Sequence, residues 1–502
     1  MAQELRSINL VAPAFKGVNT EDSPLAQDPS FAEIADNAVI DKRGRIAARK
    51  GHSVLTTDKT ALGSGTIRVV HEFEKTSGTN VVLSAGNSKI FTGTTTLTDA
   101  TPGSYTITAD NWKVVNFNEK AYLFQASHHP LVYDGSSVVR LDSVSGAAGV
   151  IQSNEAIAAY GRLWVVGVGA NTSTVYWSDL LIGHDYTGGT SGSIDVSKVW
   201  PDGFDEIVAL AAHNGQLIVF GKHSIIVYAG AEAPAEMQLA DTVAGVGCVD
   251  RDTVKYTGTD VLFLSHSGLK SFGRTIQEKS LPISSLSGNI SKDIIGSLQA
   301  ENQFFRSAYS PEEGFYLLTF VGQDVTYCFD VRGTTENGSY RVTRWVSTGF
   351  SCYTRQEDGT LLLGTSNGIS EYTGYTDNTQ PYRFKYYSPS LTFGDSSRIK
   401  IVKKLKPTLV GANNATVFLK WAYDFKGTYA TAEFTVGDQI TGFFGESEFT
   451  AVEFTGGALT NQRSLNATGY GTSVVVGLEA DIDGSQLSLQ EINVMALLGK
   501  LL

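Results

Sequence analysis

Leu217-Ile218-Val219-Phe220 and Ile225-Ile226-Val227-Tyr228 are two apolar runs separated by Lys222-His223-Ser224, with Gly215, Gly221 and Gly230 at their ends. β-Branched and aromatic residues bounded by glycine predict two short strands joined by a tight turn. The apolar positions are consecutive rather than alternate, so both faces of each strand should be covered.

The pattern repeats. Candidate inner strands fall at 81–83, 121–124, 163–166, 217–220, 261–264, 315–320 and 361–363. Each is followed by a turn and a second run, at 90–91, 131–133, 175–177, 225–228, 269–272, 325–329 and 369–372. Seven such pairs between residues 66 and 374 give a period of about 44 residues, the length that a four-stranded propeller blade needs. Strands covered on both faces fit blades packed between neighbours around a central channel. A closed ring also removes the exposed edges that an open array would have to cap.

The pattern differs at both ends. Residues 1–65 form an N-terminal segment with its own features. Ser30-Phe31-Ala32-Glu33 has the form of a capping box and predicts a short helix through Ala35 to Ala38. Val39 to Gly51 predicts a hairpin with Gly44 in its turn. Within the repeat, the stretch from Leu281-Pro282-Ile283 to Leu298 predicts a helical insertion near 287–300. Beyond Gly374 the period stops. Tyr382 to Tyr387 and Arg398 to Lys406 alternate as strands with one wet face, and further strands are expected at 415–421, 431–436 and 473–480. Residues 375–502 should therefore form a β-sandwich. Its apolar tail from Ile492 should dock against its own domain or a neighbour. The expected fold is all-β: an N-terminal segment (1–65), a β-propeller of about seven blades, or six (66–374), and a C-terminal β-sandwich (375–502).

Composition narrows the chemistry. The 502 residues carry a formal net charge of −12, which argues against stable binding to a phosphate backbone and suits a protein that must stay soluble, or one that lets nucleic acid pass without sticking. Cys248, Cys328 and Cys352 are too few and too scattered for a disulfide framework or a zinc site, which fits a reducing compartment. No basic-apolar leader opens the chain, and no apolar run is long enough to span a bilayer.

The catalytic motifs that can be found lack their contexts. Gly364-Thr365-Ser366-Asn367-Gly368 matches a nucleophile elbow but joins two strands, where an elbow must lead from strand to helix. His128 and His129 are adjacent and cannot converge on one metal from a strand. Asp481-Ile482-Asp483-Gly484 opens like a calcium loop, but glycine stands fourth rather than sixth. Glu357-Asp358-Gly359-Thr360 lacks the Ser and Trp flanks of a glycosidase turn, and Gly167-Val168-Gly169 has no helix to present a pyrophosphate. No catalytic residue, cofactor site or metal site is expected. One charge cluster stands out: Arg398, Lys400, Lys403, Lys404 and Lys406, a basic stripe that is either a solvated strand face or an interface with an acidic partner.

Gly17-Val18-Asn19-Thr20, Ser23-Pro24-Leu25, Ala35-Asp36-Asn37 and Gly44-Arg45-Ile46-Ala47-Ala48-Arg49-Lys50-Gly51, followed by propeller and sandwich patterns, resemble the tail nozzle (tail tubular protein B-like) proteins of short-tailed bacteriophages. Ile46 stands where such proteins usually carry Leu, and Lys50 where they often carry Pro. The resemblance implies a non-enzymatic virion protein, assembled in the bacterial cytoplasm, whose sandwich domains form a ring, a homohexamer, below the portal and adaptor. The ring would meet the adaptor and the tail fibre or tail tip proteins and pass DNA during ejection without reading its sequence. Two other functions fit the same pattern: a tail hub that mounts fibres, and a propeller that binds or hydrolyses bacterial surface glycan. A cellular scaffold is disfavoured because Trp-Asp repeat signatures are absent.

Overall fold

The computed structural model describes residues 4–76, 78, 80–278, 285–300, 304–437 and 460–501. The predicted residues 281–283 lie outside them.

Successive antiparallel sheets form a β-propeller. Six stand as separate sheets: blade 1 (67–99), blade 2 (113–140), blade 3 (156–195), blade 4 (207–244), blade 5 (255–271) and blade 7 (352–372). The strands of blade 6 (305–346) belong to a larger sheet that leaves the propeller. Blade 4 shows the common plan. Ile207–His213, Gln216–Gly221, Ser224–Ala229 and Gln238–Ala244 follow one another as a meander. In its middle two strands only Gln216 and Ala229 are not fully buried.

All seven predicted strand pairs are present, but the predicted inner strands are the second strands of their blades. The innermost strands are less apolar because they border the channel. Lys113–Phe117 is half-buried throughout, whereas its neighbour Lys120–Phe124 is buried from Ala121 onward. Hydropathy therefore finds the fully covered strand and passes over the wetter one beside it.

Blade 5 has three strands among the described residues. Where a fourth would follow, Ser271 caps a helix, Phe272–Gln277: its Oγ accepts from Arg274 N at 3.1 Å, and Asp260 accepts from Gly273 N at 2.9 Å. The predicted insertion is the helix Ser291–Leu298, which holds Ile294 in the core. Tyr340 N donates to Leu286 O at 2.8 Å, joining this excursion to blade 6.

The N-terminal segment holds no helix among the described residues. Phe31–Ala32, Ile34–Asp36 and Ala38–Ile40 are strands, contrary to the capping-box reading. Glu33 N is taken by Tyr387 O at 3.0 Å, and Asn37, at a φ of 52°, donates its N–H to Arg344 O at 2.6 Å. Distant strands thus satisfy the backbone groups that a helix would have bonded locally. The predicted hairpin is present: Ala38–Ile40 pairs with Ile46–Ala48, and Gly44 has a φ of 77°.

This segment stitches the two domains together. Ile34–Asp36 lies between Tyr340–Val346 of blade 6 and Tyr382–Tyr387, making one nine-stranded sheet that runs on through Val474–Ile482 and Thr416–Tyr423 to Ala430–Thr435. The sandwich's second sheet centres on Leu487–Leu501, which pairs with Arg398–Gly411 and Ile46–Ala48, and also with Glu4–Leu10. Leu489, Ile492, Val494 and Ala496 from the tail are completely buried, so the tail docks within its own domain as expected. Leu489, Ile492 and Val494 each contribute about 1.5–3 kcal/mol.

His52–Val54 pairs with Gly368–Tyr372 as the outer strand of blade 7, so residues from both sides of the propeller close the ring. Just before it, Gly51 has no room for a side chain: a Cβ there would fall on the Thr376 backbone. Gly51→Ala is expected to destabilise the protein by about 2 kcal/mol or more, because backbone rather than a side-chain tip must move. Urea unfolding followed by tryptophan fluorescence measures this, and an unchanged midpoint would contradict it.

Candidate functional site

The channel carries a web of buried charge at one end. It is built from short loops that precede the innermost strands. Arg306, 7 % exposed, donates from Nη1 to Asp252 Oδ2 at 2.9 Å and from Nη2 to Asn111 Oδ1 at 2.8 Å. Arg251, 3 % exposed, donates to Asn154 Oδ1 at 2.9 Å and to Asn111 O at 2.7 Å. Lys113 Nζ lies 3.2 Å from Glu155 Oε1. Blades 2, 3, 5 and 6 are thereby tied to one another through buried polar contacts, which constrain their mutual angles, while Glu155 Oε2 is left without a hydrogen-bond partner among the described residues. Burial pushes the Glu155 carboxyl above its ordinary range against the pull of Lys113 and Arg251. Burial acts the same way on Asp252, but Arg306 and then Arg251 hold it below the usual carboxylate range.

Deeper in the channel, His71 Nε2 meets Asn116 Oδ1 at 2.9 Å, and burial lowers its basicity. Sequence reasoning missed this web. Its trace in the chain is that Asn111 and Asn154 each stand two residues ahead of an innermost strand, and Arg251 and Asp252 stand just ahead of another.

The predicted basic stripe does not form one surface. β-Bulges between Arg398 and Lys400 and between Val402 and Lys404 break the alternation that would have placed the cations on one face. Lys400 is completely buried and its ammonium donates to the Asp395 carbonyl. Arg398 pairs with Asp395 at 3.3 Å. Lys403 and Lys404 are exposed side by side, and Lys406 is half-buried.

The other sequence candidates are structural. Gly364 to Gly368 is a hairpin turn of blade 7, where Thr365 Oγ1 donates to Gly368 O at 3.1 Å. His128 is buried against Trp112, with its Nε2 accepting from Thr108 N at 2.9 Å, while His129 is turned toward Asp142. Asp358 and Gly359 make the turn into Leu361–Thr365. Asp483 and Gly484 make the turn between Val474–Ile482 and Leu487–Leu501. Gly167 and Gly169 lie between two strands of blade 3. Among the described residues no group of three or more His, Cys, Asp or Glu could hold a metal ion. Cys248 and Cys352 are buried free thiols pushed up to about 12 by burial, and Cys328 is raised for the same reason. A thiol held protonated is a poor nucleophile.

The sandwich presents a different kind of feature. Phe425 is 62 % exposed and Tyr470 70 % exposed, on neighbouring loops. Asp424 joins those loops, its Oδ1 accepting from Thr472 N at 2.6 Å and from Ser473 N at 3.2 Å. Asp424 and Phe425 both hold left-handed backbone, with φ of 52° and 57°, so the turn aims a large apolar side chain at solvent. Tyr429 lies beyond, its ring 5.3 Å from that of Tyr387. The strand that follows, Ala430–Thr435, is largely exposed and is the last strand of the nine-stranded sheet among the described residues. Among them, too, no helix is long and apolar enough to cross a membrane.

No protein-family model matches the sequence, and neither does any curated protein. Solved structures that resemble it are propeller proteins. The extracellular domain of the putative hybrid two component system BT4673 from B. thetaiotaomicron aligns over 66 % of this chain and 40 % of its own length, with 10 % identity and a TM-score of 0.42. YCF48 from Cyanidioschyzon merolae aligns over 62 % of this chain and 96 % of its own, with 9 % identity and a TM-score of 0.36. The WD40 domain of Neurospora crassa Pan2 aligns over 66 % of this chain and 98 % of its own, with 8 % identity and a TM-score of 0.36.

Proposed function

We propose that this chain is a virion structural subunit, the tail nozzle of a short-tailed bacteriophage, which acts by assembling into a ring and letting DNA pass. The observation that carries the proposal is the exposed aromatic set Phe425, Tyr429 and Tyr470 beside Ala430–Thr435, the last strand of its sheet among the described residues. It lies on the sandwich, the domain that the nozzle resemblance makes the ring platform. Exposed aromatics grouped at a sheet edge are the material of subunit interfaces, where Tyr and Phe supply contact area and an edge strand supplies backbone partners.

Two further features support this reading. The N-terminal segment, which carries the resemblance, is woven into both sandwich sheets and into blade 7, so propeller and platform are linked by backbone hydrogen bonds. The acidic balance of the chain suits a conduit, since a negative wall does not hold the phosphate backbone. On this reading the protein needs no catalytic group and is built into the virion tail in the bacterial cytoplasm. Its partners are five further copies, an adaptor ring and the fibre or tip proteins.

Native mass spectrometry and electron microscopy of the purified chain test the proposal. Rings of six copies at micromolar concentration are expected. A monomer at all concentrations, and absence of the chain from tails, would overturn it.

A further inference from the structure

The charge web at the channel end borders a cavity of about 150 Å³. Arg68 from blade 1, Lys113 from blade 2, Lys255 from blade 5 and Arg306 from blade 6 line it, with Asp252 as the one carboxylate among its lining residues. Asp252 is occupied by Arg306 at 2.9 Å, and Glu155, behind the wall, is occupied by Lys113 at 3.2 Å. Arg68 and Lys255 have no hydrogen bond or ion pair among the described residues. Two cations without a direct ion-pair partner therefore line one small space, with Asp252 and Glu155 acting on Lys255, and Asp110 on Arg68, only through space, in a protein whose net charge is −12.

Partly buried cations without a direct partner are costly, and an anion that joins them relieves that cost. We propose that the channel end is a binding site for a small tetrahedral oxyanion of the sulfate or phosphate type, held by Arg68 and Lys255 with Lys113 and Arg306 as flanking charges. The space is about five times the roughly 30 Å³ that one water occupies in the liquid, room for such an ion and some of its water. The guanidinium of Arg68 supplies a planar fork and the Lys255 ammonium a point charge, the usual pair for this chemistry.

The state of Lys255 agrees with the geometry. Burial, with repulsion from Lys113, pushes its ammonium down to about 8, and Asp252 and Glu155 only partly oppose this. A bound anion favours the charged form, so affinity should be steady below pH 8 and fall as pH rises through it. Of the other groups around the space, burial is overcome at Asp252 by Arg306 and then Arg251, which hold it below the usual carboxylate range, and burial lowers the basicity of His71.

The oxyanion could be a free ion or the phosphate of an organic molecule. A second cavity of about 350 Å³ shares Lys255, Ser307 and Tyr353 with the first and adds Tyr256, Tyr309 and Arg355. Aromatic rings beside an anion site would accept the ring of a sugar phosphate.

Isothermal titration of the full chain with sodium sulfate, orthophosphate and glucose 1-phosphate, against sodium chloride at matched ionic strength, tests the site. Saturable binding of sulfate and phosphate is expected, weakened at least tenfold by Lys255→Met and by Arg68→Gln. Glucose 1-phosphate binding more tightly than orthophosphate would support the site with an organic phosphate as ligand, and weaker binding would support it with the free ion. Sulfate does not titrate between pH 6.5 and 9.5, so its affinity should drop at least threefold across that range in the wild-type protein, with no variant required. Heats no different from chloride, or a sulfate affinity flat across pH 8, would overturn the proposal.

Discussion

Arg49→Met is expected to destabilise the protein by about 3–5 kcal/mol, the cost of leaving a buried charge without its partner. Arg49 is completely buried where the N-terminal segment passes between propeller and sandwich. Its Nη1 and Nη2 donate to the two carboxylate oxygens of Asp377 at 2.8 and 2.6 Å, and Nε donates to Asn37 Oδ1 at 3.1 Å. The guanidinium lies 4.2 Å from the Tyr382 ring, and the Tyr382 hydroxyl donates to the Arg49 carbonyl. Methionine would fill much of the space but leave Asp377, Asn37 and the tyrosine face without their cation. Urea unfolding read through Trp345, which packs against the same guanidinium, reports the loss. Combining Arg49→Met with Asp377→Leu should recover at least half of it, because an apolar pair can replace a buried ion pair at little net cost. A loss below about 1 kcal/mol for the single variant would mean that the pair is not a latch.

The same contact sets an acid limit. Burial alone would raise Asp377, yet the hydrogen bonds from Arg49, with the His52 ring beside it at 3.4 Å, hold it at about 2. Its folded-state value lies below its unfolded value of about 3.9, so its contribution is present above that value and disappears as pH falls through 2. The shift corresponds to about 2–3 kcal/mol. In Glu479, too, burial is overcome by Tyr387, Lys420 and Arg383, which hold it at about 2. Unfolding free energy should therefore fall steeply between pH 4.5 and 2. The fall should be shallower in Arg49→Met, where Asp377 is no longer held down.

The parts of the fold legible in the sequence are those whose hydrophobic signal is local. Leu217 to Phe220 and Ile225 to Tyr228 declare themselves because both faces are covered, and every blade repeats the statement. Lys113–Phe117 does not, because this half-buried wall strand is neither continuously apolar nor regularly alternating, and Ala156–Ala159 does not because its small side chains carry little hydrophobic signal. Ile34–Asp36 was illegible for a different reason. Its partners, Arg344 and Lys385, are more than three hundred positions away, and nothing local distinguishes it from the first turn of a helix. Long-range pairing overrode a good capping signal. The basic stripe failed at its bulges, since period-2 reasoning assumes a register that Arg398–Gly411 does not keep. The channel web was hidden because Asn111, Asn154, Asp252 and Arg306 come from four separate blades or their leading loops. Only closure of the ring brings them together.

If the sandwich is a ring platform, replacing Phe425 and Tyr470 together by serine should convert rings to monomers at micromolar concentration while leaving the subunit folded. Both side chains are mostly in solvent in the single chain, so the melting temperature should move by no more than about 2 °C. Buried across an interface, a truncated aromatic anchor costs about 2 kcal/mol or more, and two would weaken each contact by about a thousandfold. Phe204→Ser is the matched control, because Phe204 is 73 % exposed but lies just ahead of blade 4, on the propeller. Native mass spectrometry of the three proteins separates the cases. A ring that survives the double substitution removes the aromatic set from the interface, and a ring split by Phe204→Ser instead would move the subunit contact to the propeller. The platform assignment therefore depends on which of two equally exposed apolar surfaces the assembly buries.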